Sequence, residues 1–191
     1  MNKLSLLLLS AFCSFAGVAA AQDTNSLRTN LGLFEARTGS VIVRGFAEVG
    51  SIPAGAAEIT VRCKETTDIA SGQKLYGLAF EIAAGNAFPR DRVLLDDEEI
   101  TPLLDALNYV IKSNYEITTD KVTTLTSYEV SYTTKAGLRV MAHSIRREGS
   151  VAYSLQSCDS PRIALSSVQM TQLYDLIDQA RKNLDDLKAG K

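Results

Sequence analysis

The chain has 191 residues, 46% of them apolar and 22% charged, with 20 basic side chains against 22 acidic ones. That length suits one domain with a core of its own. The mixed charge, without a basic block, excludes a polycation built to displace counterions from phosphates.

Residues 1–21 read as an export signal. Lys3 supplies a positive start, an apolar run covers 4–17, and Val18-Ala19-Ala20-Ala21 closes it with small residues, so cleavage is expected after Ala21. The run is too short for a spanning helix. Phe12 stands where a lipidated Cys13 would want a small residue. The expected destination is the periplasm or the exterior. The remaining 170 residues lose Lys3, which leaves 19 basic against 22 acidic groups and a formal charge of −3.

Cys13 leaves with the signal, so Cys63 and Cys158 remain. An even pair in an oxidising compartment permits one disulfide. The alternative is two unpaired thiols, with Cys63 in the core because it falls in an apolar strand row. Both readings stay open on sequence alone.

Residues 22–38 are polar and aperiodic apart from Leu27, Leu31 and Phe34, and are expected to form an N-terminal arm or one weak helical turn. A single domain follows over 39–191, written as two repeats, 39–114 and 115–191. Val41, Val43 and Val49 start the first strand, which "VGSIPAG" is expected to break at Pro53 and Gly55. Ile59, Val61 and Cys63 alternate with Thr60, Arg62 and Lys64, the period of a half-buried strand. Tyr76, Leu78, Phe80 and Ile82 form another such row. "RVLL" from Arg92 is a short strand leading into a helix, whose stripe is Ile100, Leu103, Leu104, Leu107, Val110 and Ile111. Pro102 fits near its start, where a missing N–H costs little.

The second half repeats the order. Tyr128, Val130 and Tyr132 alternate, "TKAG" turns the chain at Gly137, and Val151, Tyr153 and Leu155 alternate again. "RIAL" from Arg162 leads into a helix with the stripe Met170, Leu173, Ile177, Ala180, Leu184 and Leu187. Ser166 and Gln169 have the spacing of a capping box, and Gly190 marks the end. Set at an offset of 70, "RVLLDDEEITPLLDALNYVIK" and "RIALSSVQMTQLYDLIDQARK" share six identities in 21 positions without a gap. Further upstream "EITVRCK" resembles "EVSYTTK", and "LYGLAFEI" resembles "LRVMAHSI". That second pairing sets His143 opposite Phe80, in a row with Met141 and Ile145.

The sequence therefore predicts an α+β fold of two pseudo-symmetric units, each of about four antiparallel strands followed by one helix. One sheet with one apolar face cannot bury it alone, and a helix plus a second copy solves that. This order resembles the Whirly and PUR-type folds, which also use two units of four strands and a helix. The resemblance covers 39–188 in topology and implies a binder of single-stranded nucleic acid. The export signal and the acidic balance point elsewhere.

Few residues suggest chemistry. Asp96, Asp97, Glu98 and Glu99 offer either a hard-cation site or helix capping. Ser166, Ser167, Val168 and Gln169 fill the same slot in the second copy, which favours capping. His143 is the single histidine, a candidate general base or ligand without neighbours at ligand spacing. Arg146 and Arg147 could meet an anionic partner, or sit on a solvated hairpin. No Gly-x-Ser-x-Gly elbow, phosphate loop or His-Glu-x-x-His occurs. The leading expectation is an exported, non-enzymatic binding or structural protein with no cofactor, acting through its sheet or the seam between its halves. The alternatives are an enzyme using His143 and a single-stranded nucleic-acid binder.

Overall fold

A computed structural model describes residues 28–84, 91–119, 127–145, 150–157 and 161–190. The elements run α1 (Asn30–Glu35), β1 (Ile42–Ala54), β2 (Ala57–Asp68), β3 (Lys74–Ala84), β4 (Asp91–Asp96), α2 (Asp97–Thr119), β5 (Ser127–Thr133), β6 (Arg139–Ile145), β7 (Ser150–Gln156), β8 (Ile163–Leu165) and α3 (Ser167–Lys188). Two antiparallel sheets result, ordered β1-β2-β3-β4 and β5-β6-β7-β8, each followed by its helix. The predicted α+β fold of two like units is the observed one.

The offset of 70 holds in space. Helices α2 and α3 begin at Asp97 and Ser167, and the stripe pairs Ile100 with Met170, Leu103 with Leu173, Leu107 with Ile177 and Val110 with Ala180, all buried. Upstream, the register of the repeat is one strand off. Equal strand orders match β2 with β6 and β3 with β7, whereas the local likenesses had paired β2 with β5 and β3 with β6. His143 in β6 is therefore not the counterpart of Phe80 in β3. The core row of β6 is Val140 and Ala142, and His143 points to the other face. Pro53 does not end the first strand. β1 runs through it, with a β-bulge between Glu48 and Gly50, and turns at Gly55 as expected, where a φ of +63° suits glycine.

Each helix serves the other unit's sheet. α3 lies across β1, β2 and β3, while α2 lies on β5 and β6 and keeps contact with β3 and β4. The two helices also pack on each other along the seam. One core results, with Ile59, Phe80 and Leu95 of the first sheet and Val140, Tyr153 and Leu155 of the second around both helical stripes. Each such side chain contributes about 1.5–3 kcal/mol on burial. Gly50 lets α3 approach, since a Cβ there would sit 2.8 Å from Leu176 Cδ2.

Glu99 and Gln169, at matching positions in the first turns of α2 and α3, clamp each helix to the opposite hairpin. Glu99 accepts from the N–H of Asp96 (3.1 Å) and from that of Lys135 in the β5–β6 turn (2.8 Å). Gln169 accepts from the N–H of Ser166 (2.7 Å) and donates Nε2 to the Pro53 carbonyl at the end of β1 (2.6 Å). A carboxylate suits two N–H donors, and an amide suits one donor and one acceptor. Gln169→Glu would set an oxygen against the Pro53 carbonyl. Glu99→Gln would set an N–H against the Lys135 N–H in a buried site. Urea denaturation is expected to show losses of about 1 kcal/mol for the first and about 1–3 kcal/mol for the second. Unchanged midpoints would remove the clamps from the account.

Candidate functional site

The outer face of the first sheet carries the densest arrangement of side chains outside the core. Even-numbered residues of β2, and of β1 up to its bulge at Glu48, face outward, opposite Ile59, Val61 and Cys63, because successive side chains alternate. Glu48, Arg62, Glu81 and Arg92 form one line across four strands, at 3.2, 3.1 and 2.7 Å. Phe46 lies beside it, with Lys64 Nζ 4.8 Å and Arg92 Cζ 5.3 Å from its ring centre, within cation–π range. A recess of about 170 Å³ opens among Glu48, Ser51, Glu58, Thr60, Arg62 and Glu81.

Helix α1 covers the other half of that face. Leu31 and Phe34, three apart on one helical side, are buried, and Leu31 packs with Ala79 and Leu94. Thr29 caps α1 by accepting from the Gly32 N–H. Asp96 accepts from the N–H groups of Asn30 (2.8 Å) and Leu31 (3.0 Å), which fixes α1 beside the start of α2. Gly77 makes the close approach possible, because a Cβ there would overlap the Leu95 carbonyl and Leu31. Thus the N-terminal arm supplies a docked helical turn over 30–35.

Lys64 is 1% exposed and pairs with Glu35 of α1 at 2.6 Å. Burial draws its ammonium below the usual lysine range, and Glu35 offsets this in part. Burial would raise the Glu35 carboxyl. Hydrogen bonds from Lys64, Thr66 and Arg44 outweigh it and hold the group below its ordinary 4.5.

The four acidic residues at the start of α2 all have protein partners. Asp96 holds α1, Asp97 meets Lys188 (2.6 Å), Glu98 meets Lys135 (2.8 Å) and Glu99 caps and clamps. Among the described residues no three His, Cys, Asp or Glu side chains could share a metal ion.

His143 lies on the outer face of the second sheet, half-buried, with Glu129 opposite on β5 and Ala152 opposite on β7. Glu129 is already paired with Arg139 at 2.9 Å. Cys63 is a buried free thiol that donates to the Ala180 carbonyl at 3.3 Å, and burial pushes it up to about 11. Cys158, Arg146 and Arg147 lie outside the described residues.

Phe46, Lys64 and Glu35 did not stand out in the sequence. The signal was present in the even-position row Arg44, Phe46, Glu48 facing Arg62 and Lys64. Comparison of the chain with protein-family models, curated proteins and solved structures finds no match.

Glu35→Gln leaves the Lys64 ammonium buried without its counter-charge and is expected to lose about 3 kcal/mol, while adding Lys64→Met recovers most of it. The Glu35 carboxylate stabilises fully above its unfolded value near 4.5, and that contribution is lost as pH falls through the lower folded value. Acid titration of stability should therefore flatten in Glu35→Gln. An unchanged profile would show that the pair does not hold α1.

Proposed function

We propose that the chain is an exported, non-enzymatic protein that works by contact with another protein through its first unit. The observation behind this reading is the first part of β1. From Val43 to Glu48 it is exposed on both faces, with Val43 50% and Phe46 41% accessible, although it is a long edge strand. Edge strands ordinarily carry devices that prevent pairing. Here the bulge and Pro53 guard only the far end.

The two recesses described on the first unit measure about 170 and 220 Å³, smaller than the roughly 300–1,000 Å³ of typical small-molecule sites. On this face Arg62, Lys64, Arg92 and Arg44 each sit against a carboxylate, so these described cations do not form a bare row for a phosphate backbone. The export signal expected over residues 1–21 supports a contact in the periplasm or outside the cell. A second reading keeps one observation in its favour: His143 and Glu129 face each other across β5 and β6, as an acid–base pair would.

A photo-crosslinking residue at Val43 tests the first reading, with Asp105 on the solvent side of α2 as the control position. A protein adduct from position 43 in the exported fraction, absent from position 105, is the expected result. Equal adducts from both, or a protein retained in the cytoplasm, would overturn it. His143→Ala should leave the adduct unchanged. Loss of a measured hydrolytic activity in that variant would favour the second reading.

A further inference from the structure

We infer that the protein seated on β1 is a second copy of this chain, paired antiparallel about a two-fold axis through Phe46. The inference rests on the reading above and names its partner.

The strand is self-complementary about that residue. Antiparallel pairing about Phe46 sets residues whose numbers sum to a constant opposite each other. Phe46 then meets Phe46. Arg44 meets Glu48 of the second copy, and Glu48 meets its Arg44. Those three positions share the outer face, because they register with Lys64, Thr66 and Arg62 of β2. On the inner face Val43 meets Val49, and Gly45 meets Ala47. Neighbouring registers lose this match. An axis at Arg44 sets two guanidinium groups together, and an axis at Ala47 sets Phe46 against Glu48. Opposite charges in cross-strand pairs stabilise and like charges destabilise.

The pairing extends a pattern already present within one chain. Arg44 meets Glu35 at 3.1 Å and keeps a 44% exposed side chain, and Glu48 meets Arg62 at 3.2 Å and keeps 58%. Across the axis the order becomes Glu35, Arg44, Glu48 of the second copy, its Arg62, Glu81 and Arg92, with signs alternating throughout. The bulge between Glu48 and Gly50 ends the regular edge, so about seven residues a side take part. Such an interface lies at the small end of specific contacts, and reversible association is expected.

Single charge reversals and their mixture decide the matter. Arg44→Glu and Glu48→Arg each convert both cross-axis pairs into like charges. Sedimentation equilibrium of the full exported chain should show each variant associating roughly 30-fold more weakly than the parent. An equimolar mixture should recover association as a one-to-one pair, because every cross-axis contact is then between opposite charges. Positions 44 and 48 lie too far apart along one strand to rescue each other within a chain. Thermal melts confirm that each variant folds. Should either fail to fold, Phe46→Cys in a Cys158→Ser background gives a second route. Oxidation should yield a disulfide-linked dimer from position 46 and none from Ser51→Cys. A parent chain that sediments as a monomer, or a mixture no tighter than its parts, would overturn the inference. A different protein captured from position 43 beside a monomeric parent would also overturn it, while leaving the binding function standing. No adduct at all would remove both.

Discussion

Neither sheet of this protein can hide its own apolar face. Residues such as Ile59 and Phe80 on one side, and Val140 and Leu155 on the other, would lie in water if each unit stood alone. Each helix lies across the opposite sheet, so the halves share one core and unfold together or not at all. The clamps of Glu99 and Gln169 set where along the sheet each helix sits. Their differing chemistry, carboxylate against amide, follows from what the opposite turn offers, an N–H at Lys135 and a carbonyl at Pro53.

Exchange of the helices commits the inner faces to the core and leaves the outer faces for everything else. On the first sheet this face is divided. α1 covers one half with Leu31 and Phe34, and the buried Lys64–Glu35 pair registers it against β2. The other half is a row of alternating charges with Phe46 among them. A buried ion pair adds little net stability but fixes geometry, since any other placement of α1 strands a charge. The latch thus positions the Glu35 carboxylate beside Arg44 at the sheet edge.

Much of this was legible in the residues, for uneven reasons. The two helices and their leading strands share a 70-residue offset because their mutual packing fixes length and stripe alike. The strands upstream are less distinctive. Period-two alternation makes one half-buried strand resemble the next, so "EITVRCK" matched β5 when its counterpart is β6. Pro53 read as a strand breaker, yet β1 is an edge strand and its far edge tolerates a residue without an N–H. α1 was legible only as one of two alternatives, a weak helical turn, because six residues give little periodicity and its stability comes from Asp96 and Lys64, which lie far away in sequence. His143 drew attention as the lone histidine, but chemistry at a site depends on neighbours, and only the strand pairing brings Glu129 to it.

A doubled fold also offers an internal control. Features needed for folding recur in both units, and features found in one unit point to use. Among the described residues, the edge strand β5 exposes Ser127, Glu129, Ser131 and Thr133, whereas β1 exposes Val43 and Phe46. Burial does not ask for apolar side chains there, because α3 covers the inner face further along, at Gly50, Ile52 and Cys63. An exposed, self-complementary strand thus stands at the sheet edge, where the latch sets Glu35 beside Arg44. Folding constraints account for everything the two units share. The proposed association through β1 would give the exposed strand of the first unit its use.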